Sequence, residues 1–304
     1  MLFCPPQEPP KAPQAAPIVT IWVHGSKGHS HLPLPKSTKN LLQFFSDPKD
    51  LHKITDFDLQ HYPFLRAKAL SAIDQQFNLD HFYSFGWSGA ITPTARKNAA
   101  LDLFNALKSL HYAYLEKYHI APQFIIISHS HGGNVVLHLG EIIDPDGFEL
   151  RIEKAILLAC PVQKHTSHLI KSPIFKRIYS LHSHTDMIQI IDPQGLHDRK
   201  KLTRPLLSSR HFDMHPKLIQ ARIQWKNGPQ WIADDYIINI TMKKLIKSLN
   251  MLNFIKKKRG LLHIEFVLFP FVRHLPAIIN QLDIYFGNNN NCPSHKDDDI
   301  IIEL

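Results

Sequence analysis

Ser130 lies in the segment of the chain that best fits a catalytic turn. The segment reads Ser128-His129-Ser130-His131-Gly132-Gly133 and directly follows the apolar run Phe124–Ile127. A serine on a sharp turn between a strand and a helix can act as a nucleophile, provided that small residues flank it two positions away on each side. Ser128 and Gly132 meet that requirement. We therefore predict Ser130 as a nucleophile; the alternative is a glycine-containing turn without chemistry.

The same segment resembles the nucleophile elbow of the α/β-hydrolase superfamily, G-x-S-x-G, with Ser128 in place of the first glycine. The resemblance implies a lipase- or esterase-like serine hydrolase whose triad follows the chain order Ser, Asp or Glu, His. It also implies an oxyanion hole made of the His131 backbone N–H and a second donor after the first strand, at Gly25 or Ser26.

The triad order places the acid after a strand that follows Ser130. Asp186 lies just beyond the strand candidate Arg177–Leu181, where a carboxylate could orient an imidazole. Asp192, in Ile191-Asp192-Pro193, is the alternative. Either carboxylate could instead cap a turn.

The base must be selected by position, because the chain has 21 histidines. His263 precedes an apolar stretch and resembles the final His-x-Glu segment of lipase-like hydrolases. His211 and His215 lie nearer the acid, and their spacing could place both on one face of a helical turn. An inserted helix around Thr241–Leu249 would account for the long interval before His263.

Two further residues are candidates for the substrate pocket. His24 ends the first apolar run, and Trp87 lies in a Trp-Ser-Gly turn that resembles one seen in lipase-like hydrolases. The alternative for Trp87 is packing over the sheet edge.

No ligand set for a metal is recognisable in the sequence. Histidine pairs such as His182 and His184 offer two imidazoles, whereas catalytic zinc needs three protein ligands, and no H-E-x-x-H segment occurs. Three widely spaced cysteines form no C-x-x-C pair. We predict neither a metal nor another cofactor.

Apolar runs alternate with segments of helical periodicity along most of the chain. This pattern predicts an α/β fold with a mostly parallel central sheet, helices on both faces and an active site at the carboxyl ends of the strands. Helical periodicity predicts a helix at about 94–118. The proline-interrupted segment 28–80 is predicted as loops and short helices, which could form a lid. The predicted strands are 18–23, 81–87, 124–127, 154–159, 177–181 and 221–225.

The domain prediction is a Pro-rich extension at 1–16, a catalytic domain at 17–285 and a disordered tail at 286–304. We see neither a signal peptide nor a membrane-spanning run, so we expect a cytoplasmic protein, with export by another route left open. The net charge of +9 favours an anionic membrane surface as a partner. Nucleic acid is disfavoured because no reader motif accompanies the charge. The sequence makes no prediction of oligomeric state.

These residues and the resemblance predict hydrolysis of a carboxylic ester with a hydrophobic acyl group, such as that of a lipid, through Ser130, Asp186 and His263. A thioesterase or an acyltransferase could use the same three side chains. A third hypothesis is a hydrolase-like module without catalysis that binds anionic membranes.

Overall fold

The computed structural model describes residues 15–26, 47–191, 208–227, 259–288 and 300–304. Within these ranges nine strands form one sheet in the order β2-β3-β1-β4-β5-β6-β7-β8, and β9 also pairs with β7. The strands are β1 (Ile18–Val23), β2 (Asp50–Lys53), β3 (Phe82–Gly86), β4 (Gln123–His129), β5 (Ile152–Leu158), β6 (Ile178–His182), β7 (Leu218–Trp225), β8 (Arg259–Gly260) and β9 (Ile300–Glu303).

The sheet is mostly parallel, as predicted. β1 lies between β3 and β4 and is parallel to both, and the parallel pairing continues from β4 through β7. Among the strands of the described part of the chain, two pair antiparallel with a neighbour: β2 with β3, and β8 with β7. All six strands predicted from apolar runs are present, because strands buried on both faces are apolar almost throughout.

Helices cover both faces of this sheet, which confirms the predicted fold class. In β4, Phe124 and Ile126 face one hydrophobic core, whereas Ile125 and Ile127 face the other. In the described ranges no helix is both long and apolar enough to cross a membrane. The helices are α1 (Tyr62–Ser71), α2 (Pro93–Tyr118), α3 (His131–His138), α4 (Ile188–Ile191), α5 (Phe269–Val272) and α6 (Leu275–Asn288). The first core packs against α2 and α3, and the second against α1, α5 and α6.

The described part of the segment predicted as a lid belongs to the core. Residues 50–53 extend the sheet as β2, and α1 buries its apolar face in the second core. Arg66 of α1 forms a buried ion pair with Asp47 at 3.0 Å, and its guanidinium lies 3.9 Å from the centre of the Trp22 ring. Residues 28–46 lie outside the described residues, so a lid there remains a prediction.

The end of the chain differs from the predicted disordered tail at 286–304. Helix α6 continues to Asn288, and β9 pairs in parallel with β7 over four residues. The prediction was wrong for residues 300–304. It followed the polar composition that precedes them, whereas the apolar run Ile300–Ile302 adds a strand to the sheet, with the Ile302 side chain buried.

Candidate functional site

Ser130 occupies a strained turn between β4 and α3. Its backbone has φ 53° and ψ −132°, a conformation that residues other than glycine rarely adopt. The Ser130 N–H donates to the Leu158 carbonyl at 2.8 Å, and the Ser130 carbonyl accepts from the Gly133 N–H at 2.9 Å. Such a conformation costs about 1–3 kcal/mol and persists where the surroundings enforce it, commonly at functional sites.

Close backbone approach explains the small residues around Ser130. A Cβ on Gly132 would lie 2.4 Å from the His24 carbonyl oxygen, so that position admits only glycine. A Cβ on Gly25 would lie 2.9 Å from Cβ of Ser130, so the turn after β1 directly abuts the serine. Ser128 is fully buried, with its hydroxyl 3.3 Å from the Ile156 carbonyl oxygen. The structure therefore brings Gly25 next to Ser130.

Asp186 and His263 are hydrogen-bonded although 77 residues separate them. The His263 Nδ1 lies 2.8 Å from Asp186 Oδ2. The other carboxylate oxygen of Asp186 accepts from the Gln189 N–H at 3.1 Å, at the start of α4. Asp186 is only 1% exposed. Its alternative, Asp192, lies outside the described residues.

His129, the residue before Ser130, lies against His263. The His129 and His263 rings lie 4.7 Å apart between centroids. No hydrogen bond joins the Ser130 hydroxyl to the His263 ring, and both residues are among those described. Catalytic hydrogen bonds often tighten only when substrate binds.

The alternative bases have other neighbours. The His211 ring packs edge-on against His182 with centroids 4.5 Å apart, and His215 Nδ1 accepts from the Lys217 N–H at 3.4 Å. Burial, followed by the charge of Lys217, lowers the pKa of His215. Residues 211–215 form no helix, so the prediction of one shared helical face was wrong. Pro216 directly follows His215 and lies in a turn, and a residue before proline is disfavoured in a helix. The i, i+4 spacing of the two histidines therefore does not indicate a helix.

His24 and Trp87, the predicted pocket residues, bond to each other. The Trp87 N–H donates to His24 Nε2 and the Trp87 indole N–H donates to the His24 carbonyl, both at 2.9 Å. The remaining ring nitrogen, Nδ1, donates to the Gly25 carbonyl. Both side chains are buried, at 7% and 3% exposure. These contacts hold the turn that carries Gly25 and Ser26, and the pocket role remains a prediction.

Arg96 is a neighbour of the elbow to which sequence reasoning gave no role. It is 1% exposed and donates to His131 Nδ1 at 3.1 Å, to the Ile91 carbonyl at 2.7 Å and to His165 Nε2 at 3.2 Å. A signal did exist. Arg96 lies in the apolar stripe of α2 at helical spacing from Ala100 and Leu103, where an arginine is unexpected unless it has buried partners.

Arg210 holds the loop that carries Asp186, and the sequence analysis gave it no role. Its Nε donates to the Ser183 carbonyl at 2.9 Å, and its Nη2 donates to the carbonyls of Asp186 at 2.7 Å and His184 at 3.1 Å. Burial lowers the pKa of Arg210, and the nearby Asp186 charge opposes that shift. Nothing in the local sequence pattern marks this arginine, because its partners are main-chain carbonyls from a distant loop.

The segment that carries His263 is held by a second set of side chains. Arg259 and Glu265 form a buried two-point ion pair with both N–O distances at 2.6 Å. Glu265 also accepts from the Leu262 N–H at 2.7 Å, and the Thr185 hydroxyl donates to the Leu261 carbonyl at 3.0 Å. The His-x-Glu pattern that selected His263 therefore includes a residue that shapes its loop.

Metal ligands do not cluster in the described ranges, where no group of three or more His, Cys, Asp or Glu side chains could hold an ion. Of the histidine pair His182 and His184, the first ends β6 and the second lies two residues beyond it. His182 is buried, and burial also lowers the pKa of His184, followed by the charge of Arg222.

Comparisons with known proteins identify no family. No family model matches this sequence, and no curated protein matches it. Among solved structures, the chain is similar to a "putative carboxylesterase" from Lactobacillus plantarum WCFS1. The identity is 12% and the TM-score is 0.31, over 60% of this chain and 69% of that chain. A similarity this distant carries no argument about function, which rests here on the site itself.

Proposed function

We propose that this protein is a serine hydrolase that cleaves carboxylic esters, with Ser130 as nucleophile, His263 as base and Asp186 as the acid that orients it. The observation that carries the proposal is the 2.8 Å hydrogen bond between Asp186 and His263, two loop residues far apart in sequence. The strained turn at Ser130 supports it independently. Resemblance of the Ser128–Gly133 segment to a nucleophile elbow gives the reaction class.

The reaction follows from the donors and acceptors of these groups. As Oγ of Ser130 bonds to the acyl carbon, His263 Nε2 takes the proton of the Ser130 hydroxyl. Asp186 stabilises the resulting imidazolium. The backbone N–H of His131 and one from Gly25 or Ser26 bind the oxyanion. The ester C–O bond then breaks, and the alcohol leaves with the proton from His263. Water, deprotonated by His263, cleaves the acyl-enzyme and restores Ser130.

The proposed substrate is a carboxylic ester with a hydrophobic acyl group, such as that of a lipid. The resemblance to lipases and esterases supports this choice. The net charge of +9 supports presentation of the substrate on an anionic surface, because such surfaces attract basic proteins.

The test compares Ser130→Ala with a matched control, Ser128→Ala. Both replace a buried serine of the same segment, but only Ser130 is the proposed nucleophile. We expect Ser130→Ala to lose at least about 10³-fold in kcat on p-nitrophenyl butyrate and to escape labelling by a fluorophosphonate probe, because the nucleophile is gone. Ser128→Ala should be labelled at Ser130, as mapped by peptide mass spectrometry.

Three outcomes would overturn the proposal. Turnover in Ser130→Ala equal to that of the unmodified protein would exclude Ser130 as nucleophile. Labelling mapped to another serine would do the same. A chain that neither reacts with the probe nor hydrolyses esters, yet binds acidic vesicles in a salt-sensitive way, would be a membrane-binding module without catalysis.

A further inference from the structure

His129, the residue just before Ser130, faces the proposed base. It is the last residue of β4, and its main chain is therefore held by pairing with β5. Its side chain follows the alternation of Ile125 and Ile127 toward the sheet face that α5 and α6 cover. The segment that carries His263 lies on that face.

The His129 imidazole contacts both the base and the turn after β1. Its Nε2 lies 3.0 Å from the His263 carbonyl oxygen, and the two rings are 4.7 Å apart between centroids with an interplanar angle of 48°. Its Nδ1 lies 3.0 Å from the point that a Cβ on Gly25 would occupy. The imidazole therefore fills the space between the proposed oxyanion turn and the proposed base.

The protonation state of His129 follows from its surroundings. Burial, followed by the charge of the neighbouring His263, holds the pKa of His129 well below its ordinary value, despite an opposing hydrogen bond to the His263 backbone. The ring is thus neutral near pH 7. Because its partner is a carbonyl oxygen, Nε2 must carry the single proton and donate it.

We propose that His129 is a positioning residue, which holds the main chain of His263 at a fixed distance from Ser130 through its Nε2–H···O=C hydrogen bond. This inference rests on the proposed function. Other hydrogen bonds of the base segment tie it to itself through Glu265, to the loop of Asp186 through Thr185 and to α1 through the Tyr62 hydroxyl, which donates to the Val267 carbonyl. Within the described residues, the His129 bond is the hydrogen bond that joins the His263 main chain to the strand carrying the nucleophile.

The test uses two substitutions that separate the donor from the ring. His129→Gln keeps an amide N–H at a reach similar to that of Nε2, whereas His129→Phe keeps a ring of similar size without a donor. His168→Phe, at an exposed site, is the control for a histidine-to-phenylalanine change. Each variant is compared with the unmodified chain in kcat and KM on p-nitrophenyl butyrate, in thermal unfolding and in the NMR signal of the His263 Cε1–H, assigned with His263→Gln.

We expect His129→Phe to lower kcat by about 10²-fold with little change in KM, because a misplaced base slows the chemical step rather than binding. His129→Gln should recover most of that loss. The His263 Cε1–H signal should be sharp in the unmodified chain and in His129→Gln, and broadened or doubled in His129→Phe, where the ring samples several positions.

Equal losses of kcat in the Gln and Phe variants, matched by equal falls in unfolding temperature, would mean that His129 only supports the fold. An unchanged His263 signal in His129→Phe would also overturn the inference. If the unmodified chain hydrolyses no ester, the proposed function fails while the NMR comparison still decides whether His129 fixes His263.

Discussion

The proposed nucleophile and the proposed acid–base pair are held in different ways. Ser130 is held by main-chain contacts between neighbouring elements, with Gly132 against the carbonyl of His24 and Gly25 against the serine itself. Asp186 and His263 lie on loops after β6 and β8, and long side chains hold those loops in place. Substitutions near Ser130 should therefore act through steric clashes in its turn. Substitutions of the side chains that hold Asp186 and His263 should instead displace these two residues by degrees.

Among the substitutions that test this comparison, Asp186→Asn should have the largest effect on kcat. The amide cannot hold the same tautomer of His263 or stabilise its protonated form, so we expect kcat to fall by about 10⁴-fold with the fold retained. Steady-state hydrolysis of p-nitrophenyl butyrate measures kcat, and the far-UV circular dichroism spectrum shows whether the fold is retained. Asp213→Asn, at an exposed carboxylate, is the control. A loss shared by both variants would remove Asp186 from the acid role.

On the nucleophile side, Gly25→Ala should lower kcat by about 10²–10³-fold, the usual cost of losing one oxyanion donor. The added methyl group would meet Cβ of Ser130 and Nδ1 of His129, and thus would push the turn away from the serine. Gly287→Ala is the matched control, because a Cβ there meets nothing within 4 Å. Normal kcat in Gly25→Ala would show that this turn supplies no donor.

Arg210→Met should have a smaller effect, about 10-fold in kcat, since the acid loop keeps its contact with Gln189 but loses three carbonyl contacts. The kcat of Arg210→Lys should be closer to that of Arg210→Met than to that of the unmodified chain, because an ammonium group cannot donate to three carbonyls in the geometry of the guanidinium group. Arg151→Met, whose side chain is 85% exposed, should leave kcat unchanged. If Arg210→Met abolished activity altogether, substitutions around Asp186 and His263 would be as damaging as those in the turn at Ser130, and the proposed difference between the two regions would be wrong.

The smallest effect concerns stability at low pH. The pKa of His129 in the folded chain lies well below its ordinary value of 6.5, so the unfolded chain binds more protons as pH falls below that value. The free energy of unfolding must then decrease, by up to about 1.4 kcal/mol per pH unit for this one group. Urea unfolding between pH 7 and 5 should show a shallower pH dependence for His129→Gln. Equal slopes would contradict neutral burial of His129.

Much of the fold could be predicted because its strands are buried on both faces. Such strands appear in sequence as continuous apolar runs, and the stripe of α2 appears at helical spacing. The strand at 300–303 was missed, since four residues after a polar stretch carry no periodicity to recognise. The edge strand β2 was missed for the same reason, as its sequence Asp50–Lys53 is mostly polar.

Within the site, local sequence indicated Ser130 because the small residues that its turn requires lie two positions away on each side. Asp186 and His263 were selected by resemblance and by order along the chain, and their catalytic roles remain proposals to be tested. Arg210 and His129 could not be assigned from pattern alone, because each bonds to groups that are distant in sequence, whereas Arg96 was marked by its place in the apolar stripe of α2.

By itself, the sequence determined which segments become buried strands, and with them the turn at Ser130 between β4 and α3, because hydrophobic periodicity and small-residue spacing are local properties. Only the tertiary structure decided which histidine meets Asp186 and which side chains hold the two loops. The physical reason is that hydrogen bonds between distant loops depend on the relative placement of strand ends, which no local stretch of residues encodes.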